Sequence, residues 1–322
     1  MPVLFERDLL YGGQFLGQSV AAANHTVPDS FHPHSLHCYF LKAGSAQGSI
    51  DYSVDKSRDG STIATRSITA TQDGDVCFSA MMSYQDITKA KTTLSHCDPM
   101  PDVPGPDSLK EIQDLCREQL RQPSCDNNTR KWCDNKTNGY ERRTLFLKPV
   151  NPQSFLRKGP DKECLFWVRP RGNTAWVTER LSYAIIAYIS DFYTVQCCMA
   201  PYYPNYTAGL TLSLDHAIWF HQPIDPKKWL LFSYYSPQAE TSRSLCRAHV
   251  WDEDGKMVAS VVQECLLTGI STKTGLTFES VSEEAMGRAE YDAITPYFKE
   301  LSYIRVKQRK LLNRCLFFRV LA

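Results

Sequence analysis

Apolar residues recur with helical spacing near the start of the chain and then give way to strand-like runs. Residues 12–24, GGQFLGQSVAAAN, place their apolar side chains on one face, and this spacing predicts a helix. Asp73-Gly74 is a dipeptide typical of a tight hairpin, and it joins the last two of the runs that follow. Those strand-like runs cover residues 34–41, 49–57, 62–72 and 76–85.

The second part of the chain repeats this order of elements. Residues 179–195, ERLSYAIIAYISDFYTV, carry an apolar stripe that predicts a second, buried helix. Superposing the two copies aligns Arg66 with Arg247 and Asp73-Gly74 with Asp254-Gly255. The shared order predicts an α+β fold of two repeats, each a long helix wrapped by an antiparallel β-sheet. The strand-like runs of the second copy cover residues 210–221, 229–236, 242–252 and 256–264.

These patterns divide the chain into four segments. An N-terminal repeat over residues 1–99 and a C-terminal repeat over 143–266 flank residues 100–142. The Pro-rich start and Asn-rich end of residues 100–142 predict a surface linker with one helix, beginning near Ser108. Residues 267–322 form a tail to which the sequence assigns no role, with a helical pattern around 282–301.

Composition narrows the class of protein. The chain has 322 residues, is 43% hydrophobic and carries a net charge of +1, so charge gives no argument for nucleic-acid binding. It lacks the apolar run of roughly 18 residues that crosses a bilayer, and charged residues near its start argue against a signal peptide. We therefore expect an intracellular soluble protein without stable membrane insertion. Its 12 cysteines are expected to be reduced thiols.

Neither a metal nor a cofactor is expected. Cys116, Cys125 and Cys133 form the closest thiol group, without a C-x-x-C pair or a following histidine pair. The histidines of HPHSLH (32–37) are separated by Pro33 and by strand alternation, which directs their side chains apart.

Three polar residues stand where the pattern calls for apolar ones. Asp191 lies within the second helical pattern, Ser213 opens one strand-like run and Gln263 closes another. Taken singly, each has an ordinary explanation: a helix cap or solvated charge, a strand hydroxyl and an exposed strand residue. If buried together, an acid, a hydroxyl and a carboxamide must satisfy one another or a ligand, and they can hold and polarise one water molecule. This combination indicates a hydrolase.

Nine strings spread over residues 5–266 resemble the type II acyl-CoA thioesterases, whose fold is a double hotdog, and the peroxisomal branch of that family is most similar. They occur in the family's order along the chain: GGQFLGQ (12–18), HSLHCYFLKAG (34–44), RDGST (58–62), PDVPGPDSL (101–109), LKPVNP (147–152), FWVRPRG (166–172), AYISDF (187–192), SLDHAIWFHQP (213–223) and VASVVQE (258–264).

The resemblance implies a function and a site. It implies a hydrolase that converts fatty acyl-CoA to free acid and CoA, with Asp191, Ser213 and Gln263 activating the attacking water. The alternative is a non-catalytic hotdog paralogue that binds acyl-CoA or a protein partner. Arg169 and Arg171 are candidates for binding the CoA phosphates, with solvated surface charge as the other reading.

The resemblance also bears on the two ends of the chain and on assembly. Family members have about one more strand before GGQ, so we expect the first repeat to lack its first strand. A peroxisomal location is expected from the resemblance, but Val-Leu-Ala at the C-terminus is not the import tripeptide, which leaves the cytosol open. Relatives pair through their sheets, so a homo-oligomer is also considered.

Overall fold

Each half of the chain packs an antiparallel sheet against one long helix, as the repeats predict. The computed structural model describes residues 9–91, 94–138, 144–271 and 304–307. Helix α1 spans Gly12–Asn24, the predicted bounds. Among the described residues of the first half, four strands follow: β1 (Phe31–Phe40), β2 (Ile50–Asp59), β3 (Ile63–Gln72) and β4 (Asp75–Asp86).

The hairpin between β3 and β4 forms at the predicted dipeptide. Asp73 and Gly74 both have positive φ angles, 52° and 89°, as a two-residue turn of this kind requires. Gly255 occupies the corresponding turn of the second half with a φ of 77°. The turns differ in length, however: two residues separate Gln72 from Asp75 in the first half, whereas four separate Asp252 from Met257 in the second.

The described part of the segment between the repeats, up to residue 138, contains two α-helices, so the prediction of one helix is corrected. Helix α2 spans Ile112–Leu120, and α3 spans Asn127–Asn138 within the Asn-rich stretch. Asp126 begins α3, because its Oδ1 accepts the backbone N–H groups of Asn128 and Thr129, each at 3.0 Å.

Helix α3 is more than a surface covering. Trp132 and Cys133 are buried in the main core, and Trp132 Nε1 donates to the carbonyl of Phe155 at 3.0 Å. Three elements then lead into the second half: β5 (Leu145–Pro149), the short helix α4 (Pro152–Phe155) and β6 (Glu163–Pro170).

The predicted second helix stops earlier than residue 195. Helix α5 spans Glu179–Ser190, with the Thr178 hydroxyl accepting the N–H of Leu181 at its start. Tyr193 adopts a left-handed conformation, which no regular helix contains, and a separate helix α6 spans Thr194–Met199. Asp191 therefore lies at the end of α5, not within a continuous helix.

The strands of the second half are longer or more broken than predicted. The run at 210–221 divides at Leu214 into two strands, and their register against the last strand of this half differs by one residue, which is a β-bulge. The strands are β7 (Tyr206–Ser213), β8 (Asp215–Phe220), β9 (Leu230–Glu240), β10 (Arg243–Asp252) and β11 (Met257–Ser271).

One sheet joins the two halves through antiparallel pairing of β1 with β8. A short strand of the tail, β12 (Ile304–Lys307), runs parallel to β2. The order of the described strands in the sheet is β12-β2-β3-β4-β1-β8-β11-β10-β9-β6-β5, with β7 also paired to β11. The helical pattern around 282–301 and residues 1–8, which bear on the expected missing strand, lie outside the described residues.

Helices α1 and α5 pack antiparallel against each other across the boundary between the two halves. Asn24 Nδ2, at the end of α1, donates to the Arg180 carbonyl near the start of α5 at 3.0 Å. A Cβ on Gly17 would lie 2.9 Å from the carbonyl oxygen of Ala184, so glycine permits this close approach. The beginning of α1 is thereby brought to the end of α5.

Candidate active site

Asp191 is held where the end of one helix meets the beginning of the other. Its Oδ2 accepts the backbone N–H of Gly13 at 2.9 Å, so the first turn of α1 serves the acid of the second half. A negative charge at a helix N-terminus is favoured by the helix dipole. The close approach depends on Gly12, because a Cβ there would stand 2.7 Å from Asp191 Oδ2.

Ser213 and Gln263 converge on this point from neighbouring strands. Gln263 Nε2 donates to Ser213 Oγ at 2.8 Å. The bulge at Leu214 follows Ser213 directly, so Ser213 closes β7 instead of opening a strand. Gln263 lies within the long strand β11, which corrects the prediction that it closes a strand, and it is fully buried, as the hydrolase interpretation requires.

The environment of Asp191 makes its carboxyl a base near neutral pH. Burial raises its pKa to about 7. Smaller contributions from the Gly13 N–H and from the Gln263 and Ser213 side chains lower the pKa against this effect. The carboxyl therefore gains a proton far more readily than an exposed aspartate does, and it is still ionised at mildly alkaline pH.

Further polar side chains, to which the sequence assigned no role in the site, surround Gln263. Its Nε2 also donates to Thr194 Oγ1 at 2.8 Å, and its Oε1 lies 2.6 Å from His216 Nδ1. His216 Nε2 in turn lies 2.9 Å from Ser190 Oγ. The SLDH string places His216 three residues after Ser213, but its partners are distant in sequence.

Two cavities meet beside this group. The first, here called the Asp191 pocket, has a volume of about 350 Å³ and is lined by Asp191 and Ser213 together with Gly12. The second, the interhelix cavity, has a volume of about 110 Å³ between α1 and α5 and an almost entirely apolar lining. Leu145, Tyr188 and Thr144 line both cavities, so the two cavities are neighbours that share a wall.

Comparison with known proteins decides the family. The sequence profile described as acyl-CoA thioesterase matches residues 151–266, and the acyl-CoA thioesterase N-terminal domain profile matches residues 6–85. Acyl-coenzyme A thioesterase 8 of Homo sapiens is 34% identical over 259 residues, which cover 79% of each chain. This chain belongs to the acyl-CoA thioesterase family.

Other relatives agree with this assignment. Acyl-CoA thioesterase 2 of Haemophilus influenzae is 27% identical, covering 80% of this chain and 87% of its own. The crystal structure of acyl-CoA thioesterase II TesB2 from Mycobacterium marinum superposes with a TM-score of 0.61 at 28% identity, covering 81% and 90% of the two chains. The predicted family, hotdog fold and thioester-hydrolase class are confirmed. The non-catalytic alternative finds no support among these relatives.

In this acyl-CoA thioesterase, the two candidate CoA-binding arginines are occupied by protein contacts. Arg169 stacks on the rings of Phe146 and Trp229, 4.9 Å and 4.6 Å from their centroids. Arg171 pairs with Glu111 at the start of α2, and its Nε donates to the Leu145 carbonyl at 2.8 Å. Neither side chain lines the two cavities, and a role for either arginine in binding the CoA phosphates stays a prediction.

The histidines of the HPHSLH string do not converge. His32 lies against Tyr183, with Nδ1 3.3 Å from the phenol oxygen, and His37 packs on the edge of Trp219. Across the described part of the chain, no three His, Cys, Asp or Glu side chains are grouped to hold a metal ion. Its helices include none that is long and apolar enough to cross a membrane.

Proposed function

We propose that this chain hydrolyses fatty acyl-CoA thioesters to free acids and CoA by direct attack of a water molecule activated by Asp191. The observation that carries this proposal is the meeting of Asp191, Ser213 and Gln263 beside the Asp191 pocket, which shares a wall with the apolar interhelix cavity. A buried carboxyl, hydroxyl and carboxamide form a set that can hold one water molecule, and family membership supports the reaction class.

Each group has one role in the proposed reaction. Asp191 removes a proton from the water as the oxygen attacks the thioester carbonyl carbon. Ser213, which is half-buried, takes part in holding the water, while Gln263 orients Ser213 through the 2.8 Å hydrogen bond. The C–S bond then breaks and CoA leaves as a thiolate, which takes up the proton. The mechanism has no covalent acyl-enzyme.

We propose that the acyl chain occupies the interhelix cavity. Its walls include Ala21 of α1 and Leu181, Ala184 and Ile185 of α5, and the exposed ring of Trp176 also contributes to the lining. Burying one methylene group contributes about 0.8 kcal/mol, which corresponds to roughly a fourfold change in kcat/KM. An apolar cavity of this kind therefore favours longer acyl chains until it is full.

Filling the interhelix cavity is expected to remove activity on long chains selectively. With the Ala21→Trp variant, we expect kcat/KM for a long-chain acyl-CoA to fall about 100-fold, because the indole displaces several methylene groups. Activity on a four-carbon substrate should change less than about threefold. Release of free CoA thiol across acyl lengths measures both. Ala90→Trp, at an exposed position, is the matched control, and equal losses at all lengths would contradict this location of the acyl chain.

The pH profile is expected to have one acidic limb set by Asp191. Its pKa is raised to about 7 and only the ionised carboxylate accepts a proton, so kcat/KM should rise tenfold per pH unit below about 7. Above about pH 8 the rate should be level. Rates measured from pH 5 to 9, corrected for uncatalysed hydrolysis, test this. A rate independent of pH between 5.5 and 7 would exclude Asp191 as the base.

Two finer expectations remain proposals. A relative in Saccharomyces cerevisiae, 26% identical, is named peroxisomal acyl-coenzyme A thioester hydrolase 1, which supports a peroxisomal location here. A homo-oligomer formed through the sheet is supported by apolar side chains exposed on the strands near the centre of the sheet, namely Tyr39, Met81 and Trp219.

A further inference from the structure

A buried chain of hydrogen bonds runs behind the catalytic group. Ser190 at the end of α5, His216 on β8 and Gln263 on β11 are all 1% exposed or less. Ser190 Oγ lies 2.9 Å from His216 Nε2, and His216 Nδ1 lies 2.6 Å from Gln263 Oε1. Because these groups are buried, each contact needs one donor and one acceptor.

The hydrogen bonds that link Ser190, His216 and Gln263 have two self-consistent proton arrangements. In the first, Ser190 donates to His216 Nε2, and His216 donates from Nδ1 to Gln263 Oε1. In the second, His216 donates from Nε2 to Ser190, which donates to the Ala187 carbonyl 2.8 Å away. His216 Nδ1 is then an acceptor, so the Gln263 carboxamide must turn over and present its N–H.

Only the first arrangement serves the proposed reaction. There, Gln263 Nε2 donates to Ser213 and to Thr194, each at 2.8 Å, so the single Ser213 proton is directed away from Gln263 and toward the Asp191 carboxylate or its water. The Thr194 hydroxyl is likewise left to donate to the Asp191 carbonyl, at 3.2 Å. In the second arrangement, the Gln263 oxygen accepts the hydrogen bond from the Ser213 hydroxyl, and Asp191 loses that donor.

We propose that His216, as the neutral imidazole protonated at Nδ1, is the positioning residue that fixes the orientation of the Gln263 carboxamide and thereby the donor of Ser213. This inference deepens the proposed function and rests on it. His216 touches neither the reacting water nor the substrate in this scheme. It acts only through Gln263 and Ser213.

The surrounding titratable groups leave these assignments undisturbed. Burial lowers the pKa of His216 to about 4, so it is neutral at assay pH. The titratable groups whose charges would act on Asp191 are Cys38 on β1, Cys265 on β11 and Tyr234 on β9. Burial raises the pKa of Cys38 and Tyr234, and a hydrogen bond with Cys198 followed by burial raises that of Cys265, so all three stay protonated.

Replacing His216 separates positioning from packing. His216→Leu removes the donor, and we expect kcat to fall about 100-fold with KM changed less than about threefold. The acidic limb should also move to higher pH by about one unit, because Asp191 loses a hydrogen bond to its ionised form. His216→Asn keeps an N–H at the Nδ1 position. It should restore kcat to within about fivefold of the wild-type value and return the acidic limb of the pH profile to its wild-type position.

The matched control is His221→Leu. His221 Nε2 lies 2.9 Å from Ser260 Oγ, and this pair is not part of the candidate site. We expect His221→Leu to have the kcat of the wild type and the same acidic limb in its pH profile. If His216→Leu lowered the active fraction and melting temperature but left kcat per active site and the limb unmoved, His216 would be structural only, and the proposal would be overturned.

The tautomer is read directly by NMR of the protein labelled with ¹⁵N-histidine, using His216→Asn to assign the resonance. At pH 8.5 we expect the proton of His216 on Nδ1. A proton on Nε2 would overturn the positioning role even in a fully active hydrolase. An Nδ1 proton in a chain that releases no CoA would instead leave the network correct and refute the proposed function.

Discussion

The Asp191→Asn variant is expected to lose at least about 1,000-fold in kcat on any acyl-CoA that the wild type hydrolyses. The carboxamide keeps the size of the side chain and an oxygen to accept the Gly13 N–H, but it cannot take a proton from water. General bases contribute typically 10²–10⁴-fold. Free-CoA release measures the loss, and Asp254→Asn makes the same chemical change in an exposed turn as a control. Wild-type activity in Asp191→Asn would refute the mechanism.

The same variant is expected to be more stable than the wild type at alkaline pH. Because the folded pKa of Asp191 is raised to about 7 from an ordinary 3.8, the folded state binds the proton more tightly than the unfolded state does. The resulting loss of stability is absent below about pH 4, grows as pH rises and is complete above about 7, where it is on the order of 4 kcal/mol. Melting temperatures of both proteins, measured from pH 4 to 8.5, should therefore be similar near pH 4. As the pH rises, the melting temperature of the variant should exceed that of the wild type by a growing margin.

The second large effect is expected from Gly12→Ala, on the first turn of the opposite repeat. The added Cβ would lie 2.7 Å from Asp191 Oδ2 and 3.1 Å from the Phe40 ring, so the carboxylate must move. A displacement of about 1 Å at a catalytic group costs about 100-fold in rate, and we expect kcat/KM to fall by that factor.

Gly159→Ala provides the matched control, since its Cβ would meet nothing within 4 Å. Because alanine is at least as good a helix former as glycine, Gly12→Ala should lose activity without a comparable loss of melting temperature. Full activity in Gly12→Ala would show that the carboxylate position is not critical.

Local patterns predicted the parts of the fold that are fixed locally. The bounds of α1 and the Asp73-Gly74 hairpin follow from spacing and turn chemistry, and the structure has both. Helix α3 was missed because its polar sequence has a narrow apolar side, Trp132 and Cys133, which is buried only by tertiary packing. The capping aspartate before it, Asp126, was the available sequence indication.

The candidate site could be predicted only in part. Polar residues at apolar positions marked Asp191, Ser213 and Gln263, but their contacts come from elements distant in the chain. Gly13 reaches Asp191 across the two repeats, and nothing in the local sequence indicates that pairing.

The two candidate arginines show the same limit. Arg169 stacks on the ring of Trp229, and Arg171 meets Glu111 of the intervening segment. Both partners are brought near only by the folded chain, so the string FWVRPRG gave no indication of these contacts.

The contact between Gly13 and Asp191 also makes the two repeats depend on each other. The second repeat supplies the carboxylate, and the first supplies the backbone N–H that holds it. Neither repeat expressed alone would therefore contain the complete candidate site.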